Sequence, residues 1–124
     1  MGAKSDLVRI EHMLEYAKKA QKFSEGIQLE QLIEDEVAQC YLVRCLEVLG
    51  EAAYQTSRKF QSRHPEIPWP LIIGMRHRLV HAYTDINMSI VWQTAIDSLP
   101  KLLPLLEQIL DEAEPNKLND MKGD

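Results

Sequence analysis

The chain has 124 residues, 45% of them apolar and 27% charged, enough for one domain with a real core, too few for two, and too apolar for wholesale disorder. Its formal net charge of -5 argues against a sequence-wide affinity for nucleic acid. Every apolar stretch is interrupted by charge well before the length of a membrane span, and MGAKSDLVRIEH lacks the apolar core of a signal peptide, so a cytoplasmic protein with no membrane partner is expected.

Helix formers dominate and runs of β-branched residues bounded by turns are missing, which points to an all-α fold. In SDLVRIEHMLEYAKKAQKF, the spacing of Leu7, Ile10, Leu14 and Ala17 predicts an amphipathic helix over about 5–23, with Ser5 or Asp6 as its cap. Ser24-Glu25-Gly26 stops it, and IQLEQLI suits a short helical turn. A long helix is then expected from about Glu34 to Gln61. Apolar residues from Val37 to Ala53 cover most of its circumference, leaving a narrow polar stripe of Arg44, Glu47 and Glu51. A helix so apolar in a domain this small is expected to face a second subunit. Cys40 and Cys45 lie in it about 140° apart, which suits neither a mutual disulfide nor a shared metal, and both read as core thiols of a reduced compartment.

HPEIPWP (64–70) is a rigid turn, because each proline fixes its own φ and biases its predecessor away from helix. A third long helix should begin near Pro68 or Pro70 and run to about Tyr83. TDIN breaks it, and Asp85 or Asn87 caps a last helix through about Glu112, bent by Pro100 and Pro104. Residues 1–112 thus form the helical domain, and 113–124 a polar tail expected to fray.

The third helix carries GMRHRLVHAY (74–83), where the basic groups concentrate. Residues 58–81 hold Arg58, Lys59, Arg63, Arg76 and Arg78 against Glu66 alone, a segment of +4 in a remainder of -9. On a helical wheel Arg76 sits near the centre of the apolar arc, while His77, Arg78, His81 and Asp85 lie on the solvated side. A desolvated arginine cannot lose its charge and needs an anion, so Arg76 should meet Glu51 or Glu47. The plainest alternative is an arginine that snorkels to solvent beside histidines that coat a surface. A metal site on His77 and His81 is disfavoured: the glutamate of an HExxH pattern is absent, and Arg78 stands in its place. Metal-independent RNA cleavage needs an imidazole to move the 2′-hydroxyl proton and a fixed cation for the phosphoryl charge. His81 and Arg76 have those chemistries, but five residues apart they diverge by about 140° on one helix. Two copies meeting at a groove would bring them together.

Arg76-x4-His81-x-Tyr83 resembles the RX4HXY signature of the HEPN superfamily, specifically the HepT toxins paired with minimal nucleotidyltransferase (MNT) antitoxins. LEVLGEAA (46–53), HPEIPWPLIIGMRHRLVHAYTDIN (64–87) and Val91-Trp92 carry the same likeness in the same order, over at least residues 30–106. The resemblance implies an antiparallel bundle of four or five helices, homodimeric, with the motifs facing an interface cleft. It implies an endoribonuclease toxin of a type VII-like toxin-antitoxin pair, without cofactor, in which His81 is the general base or acid and Arg76 the phosphate ligand, leaving a 2′,3′-cyclic phosphate. Tyr83 corresponds to the tyrosine that the partner nucleotidyltransferase AMPylates, and His77, Arg78, Arg44, Glu47 and Glu51 would support the site. The competing expectation is a binding module that docks a nucleotidyltransferase and cuts nothing.

Overall fold

A computed structural model describes residues 3–81 and 85–122, with the side chains of 5–81 and 85–113. Among the described residues every regular element is helical: α1 (Ala3–Glu25), α2 (Leu29–Glu34), α3 (Glu36–Gln55), α4 (Arg58–Arg63), α5 (Trp69–His81), α6 (Met88–Gln93), a π-helical turn (Thr94–Ser98) and α7 (Leu99–Lys122). The core lies where α1 packs on α3 and α7, and α5 is applied to the other side of α3. Its deepest side chains are Ile10 and Met13 of α1, Leu42, Leu46 and Leu49 of α3, and Leu99 and Leu106 of α7. The buried stripe of α1 runs Ile10, Met13, Ala17 and Ala20, with Leu7 and Leu14 at its edge.

Helix α1 starts at Ala3, so Ser5 and Asp6 lie inside its first turn rather than capping it. Asp6 has another use. It is buried, and its carboxylate accepts from the Ser57 backbone N–H and the Ser57 hydroxyl, both at 2.8 Å. The helix expected over about 34–61 is accordingly two. Thr56 and Ser57 are extended, with ψ of 135° and 149°. The Thr56 hydroxyl donates to the Ala52 carbonyl, Ser57 caps α4 by accepting from the Phe60 N–H, and Gln61 Nε2 donates to the freed Thr56 carbonyl at 2.9 Å. The apolar pattern runs on through Phe60, but the Thr56 hydroxyl on the Ala52 carbonyl and Ser57 on the distant Asp6 carboxylate stabilise the break. Hydrogen bonds to a charged group contribute about 1.5–3 kcal/mol each in such a setting. At the other end, Asp35 caps α3 by accepting from the Ala38 N–H at 3.0 Å.

The proline turn is closed by Trp69, whose indole N–H donates to the His64 carbonyl at 2.9 Å, over the buried Ile67. The Pro68 carbonyl accepts from the Leu71 and Ile72 N–H groups, and Pro70 falls in the first turn of α5, where its missing N–H costs nothing. Of the two cap candidates in TDIN, Asn87 is the one used, accepting from the Ser89 and Ile90 N–H groups. The π turn ends two residues before Pro100. It widens the helix where the proline ring would press on the carbonyl of residue 96, and helix resumes as α7. Helix α7 continues past Glu112 to Lys122, since apolar periodicity marks the end of the buried stripe, not of the helix. Cys45 is buried as expected, but Cys40 is exposed: their angular separation puts only one of them on the core face. No helix among the described residues is long and apolar enough to cross a membrane.

Candidate functional site

The site is built where α5 crosses α3. A Cβ placed on Gly50 would lie 2.2 Å from the Arg76 Cβ and 2.9 Å from its Cγ, so only glycine allows the two helices this approach. From that crossing the Arg76 side chain reaches along the next turn of α3. Its Nη2 is 2.8 Å from Glu51 Oε1, and its Cζ stands 5.5 Å from the centroid of the Tyr54 ring. The other oxygen of Glu51 accepts from Gln55 Nε2 at 3.0 Å, which orients the carboxylate. One turn of α3 thus holds the guanidinium by charge below and an aromatic ring beside it. The Arg76 side chain keeps 26% of its surface exposed and that of Glu51 42%, so this is a pair at the protein's edge. At that exposure its contribution to stability is at most about 1 kcal/mol, and its consequence is position. The contact expected with Glu51 or Glu47 is therefore present, with Glu51.

The histidines form a second group. His77 and His81, both exposed, are in contact with ring centroids 4.3 Å apart and planes tilted by 45°, as residues four apart on one helical face can be. His81 is the last residue of α5. Arg76 belongs to the side of α5 pressed against α3, and the histidine pair to the open side. The chain brings together Arg76 with Glu51, and His77 with His81, but not the two groups with each other.

The remaining expected residues fall away from this centre. Arg44 is exposed and Glu47 half-buried on earlier turns of α3. Arg78 is exposed and lies along its own helix, with Nη1 3.6 Å from where a Cβ on Gly74 would sit. It borders a cavity of about 450 Å³ walled by Leu46, Leu49, Met75, Leu79 and Leu102, which neither Arg76 nor His81 lines. Tyr83 lies outside the described residues. Among the described residues, no three His, Cys, Asp or Glu side chains gather closely enough to hold a metal ion.

Three contributors were not anticipated: Gly50, Tyr54 and Gln55. Each left a trace in the sequence. Gly50 is a glycine in the interior of a helix, where that residue costs about 1 kcal/mol unless a close approach requires it. Tyr54 and Gln55 stand three and four residues after Glu51, the spacings that place side chains beside it.

Comparison with known proteins agrees with the family resemblance. The family model described as "Ribonuclease HepT-like" matches residues 13–109, which include α3, α5 and everything between. A protein of Caldanaerobacter subterraneus subsp. tengcongensis named "Putative RNase TTE0752" is 33% identical over 103 residues, covering 83% of this chain and 92% of that protein. "Putative RNase MJ1216" of Methanocaldococcus jannaschii is 30% identical over 88% of this chain and 90% of its own length. "Probable ribonuclease HepT" of Thermococcus cleftensis is 31% identical over 81% and 91%. No solved structure matches. With a match that spans most of the domain and relatives covered nearly end to end, the chain belongs to the HepT-like ribonuclease family of the HEPN superfamily.

Proposed function

We propose that this protein is the toxic endoribonuclease of a type VII-like toxin-antitoxin pair, that it cuts RNA without a metal in a cleft between two copies of the chain, and that a cognate minimal nucleotidyltransferase silences it by AMPylating Tyr83. The observation that carries the reading is the seated arginine: Arg76 is fixed by Glu51 at 2.8 Å yet left partly open, on the helix whose other side presents His81. A scaffold has no use for a positioned, accessible cation on the same helix as an exposed imidazole pair.

In the reaction, an imidazole takes the proton of a ribose 2′-hydroxyl as that oxygen attacks the adjacent phosphorus. The bond from phosphorus to the 5′-oxygen breaks, the departing oxygen takes up a proton, and a 2′,3′-cyclic phosphate remains with a 5′-hydroxyl on the other fragment. Imidazole is the side chain that both accepts and donates near neutral pH, and this role falls to His81. Arg76 holds the phosphoryl oxygens while charge builds on them; with Nη2 on Glu51, its remaining N–H groups are available for them. Because Arg76 and His81 face different sides of α5, each active centre takes its arginine from one copy and its histidine from the other. AMP on Tyr83, two residues beyond His81, adds negative charge and bulk close to the substrate's own anion.

Arg76→Ala and His81→Ala should each abolish cleavage of RNA by purified protein and growth arrest in cells, with the helical content unchanged. Glu51→Gln, which leaves Arg76 without its counter-charge, should lower kcat by about 10–100-fold. Undiminished cleavage by the His81 variant would refute the assignment, and binding of RNA and nucleotidyltransferase with no scission by the unaltered protein would favour the binding module. Coexpression with the nucleotidyltransferase should add AMP masses to the peptide that contains Tyr83.

A further inference from the structure

Tyr54 is a large aromatic that the core does not take: it is 56% exposed. An exposed tyrosine alone means little. This one stands on the same turn of α3 as Glu51, with the Arg76 guanidinium 5.5 Å from its ring centroid. Glu51 tethers Arg76 and Gln55 orients Glu51, so the cation is held on the turn of α3 that carries the ring. Proteins that hold unpaired nucleic acid combine those two elements: a cation for the backbone and an aromatic face on which a base stacks. In a duplex each base is already stacked between its neighbours and offers no free face, so such a platform selects single strands, loops and bulges.

Resting on the ribonuclease reading above, we infer that Tyr54 is a substrate-contacting specificity residue: it stacks on an unpaired base next to the phosphate that Arg76 holds, so that the substrate is RNA with an unpaired nucleotide at the cut. The chemistry of recognition is a π-face, and it tolerates any base.

The test pairs a protein change with a substrate change. Short unpaired oligoribonucleotides, one intact and others carrying a single abasic ribose scanned along the strand, are cleaved and, separately, bound in fluorescence anisotropy by the unaltered protein, Tyr54→Ala, Tyr54→Leu and Tyr54→Phe. With the unaltered protein, one abasic position should weaken KM and Kd by about tenfold, the loss of one stacked base. That same position should cost Tyr54→Ala and Tyr54→Leu nothing further, while Tyr54→Phe behaves as the unaltered protein does. If Tyr54 only steadies Arg76, the alanine variant loses kcat on every substrate with the intact-to-abasic ratio unchanged, and the inference falls. It also falls if Tyr54→Ala converts a dimer into monomers in sedimentation, for then the ring is an interface residue. Absence of cleavage by the unaltered protein with the binding cycle intact would remove the ribonuclease reading and leave the stacking contact standing; cleavage with no base-dependent coupling would do the reverse.

Discussion

The charge on Arg76 is permanent, so its surroundings can decide only where it sits. Glu51 and the Tyr54 ring do this from one turn of α3, and a helical wheel could foresee the need for the carboxylate because an arginine in an apolar arc requires one. It could not foresee which of Glu47 and Glu51 would answer, since four residues separate them and either could face α5. The cysteines show the same limit in a simpler form. Burial pushes the Cys45 thiol above its ordinary value, whereas Cys40 is exposed. Alkylation of the native protein near neutral pH should therefore mark Cys40 at least about tenfold faster than Cys45, by peptide mass after a timed quench. The raised Cys45 value also has a sign for stability: folding favours the neutral thiol, so its contribution is whole below the ordinary thiol value of 9.0 and is lost as pH rises from there through the folded value. Partial desolvation and the neighbouring Cys45 raise Tyr41 as well, from an ordinary 10.0, but as an exposed group it adds only slightly to that loss. Urea midpoints should fall between pH 8 and pH 10.5.

At the scale of elements, the crossing of α3 and α5 depends on one missing methyl group. Gly50→Ala would bring a Cβ to 2.2 Å from the Arg76 Cβ, which is too close to the helix backbone to swing aside, so α5 must move outward and carry Arg76 off its seat. The expected cost is about 1–3 kcal/mol in urea unfolding together with a loss of cleavage. Gly74→Ala is the contrast: its Cβ would meet only the Arg78 guanidinium, at an ordinary 3.6 Å, and in mid-helix it should stabilise by up to about 1 kcal/mol. Most elements were legible from periodicity and punctuation, among them α1, the proline turn, the start of α5 and the Asn87 cap. The break between α3 and α4 was not. The apolar repeat runs through it, and what holds Ser57 at the break is Asp6, 51 residues earlier in the chain.

Seen whole, the molecule leaves Val37 and Tyr41 of α3 and Leu71 and Val80 of α5 exposed, although α3 also lies at the centre of the core. This agrees with the proposal of a paired chain, and that proposal has a direct test. Arg76→Ala and His81→Ala are each inactive alone under the shared-site reading. Mixed under conditions of subunit exchange, half the dimers become hybrids in which one of two sites is complete, so about a quarter of the original activity should return. A site contained within one chain would show no recovery.

By itself the sequence determined the class of the fold, the place of the basic run on its helix, and the angular divergence of Arg76 and His81, because these follow from helix formers, helical period and local punctuation. The motif and its neighbours identified the family. Tertiary structure alone decided that Gly50 lets α5 close on α3, that Glu51 rather than Glu47 receives the guanidinium, and that Tyr54 stands beside it. Each of these depends on the depth and rotation at which two helices meet, and those are set by packing between residues distant along the chain.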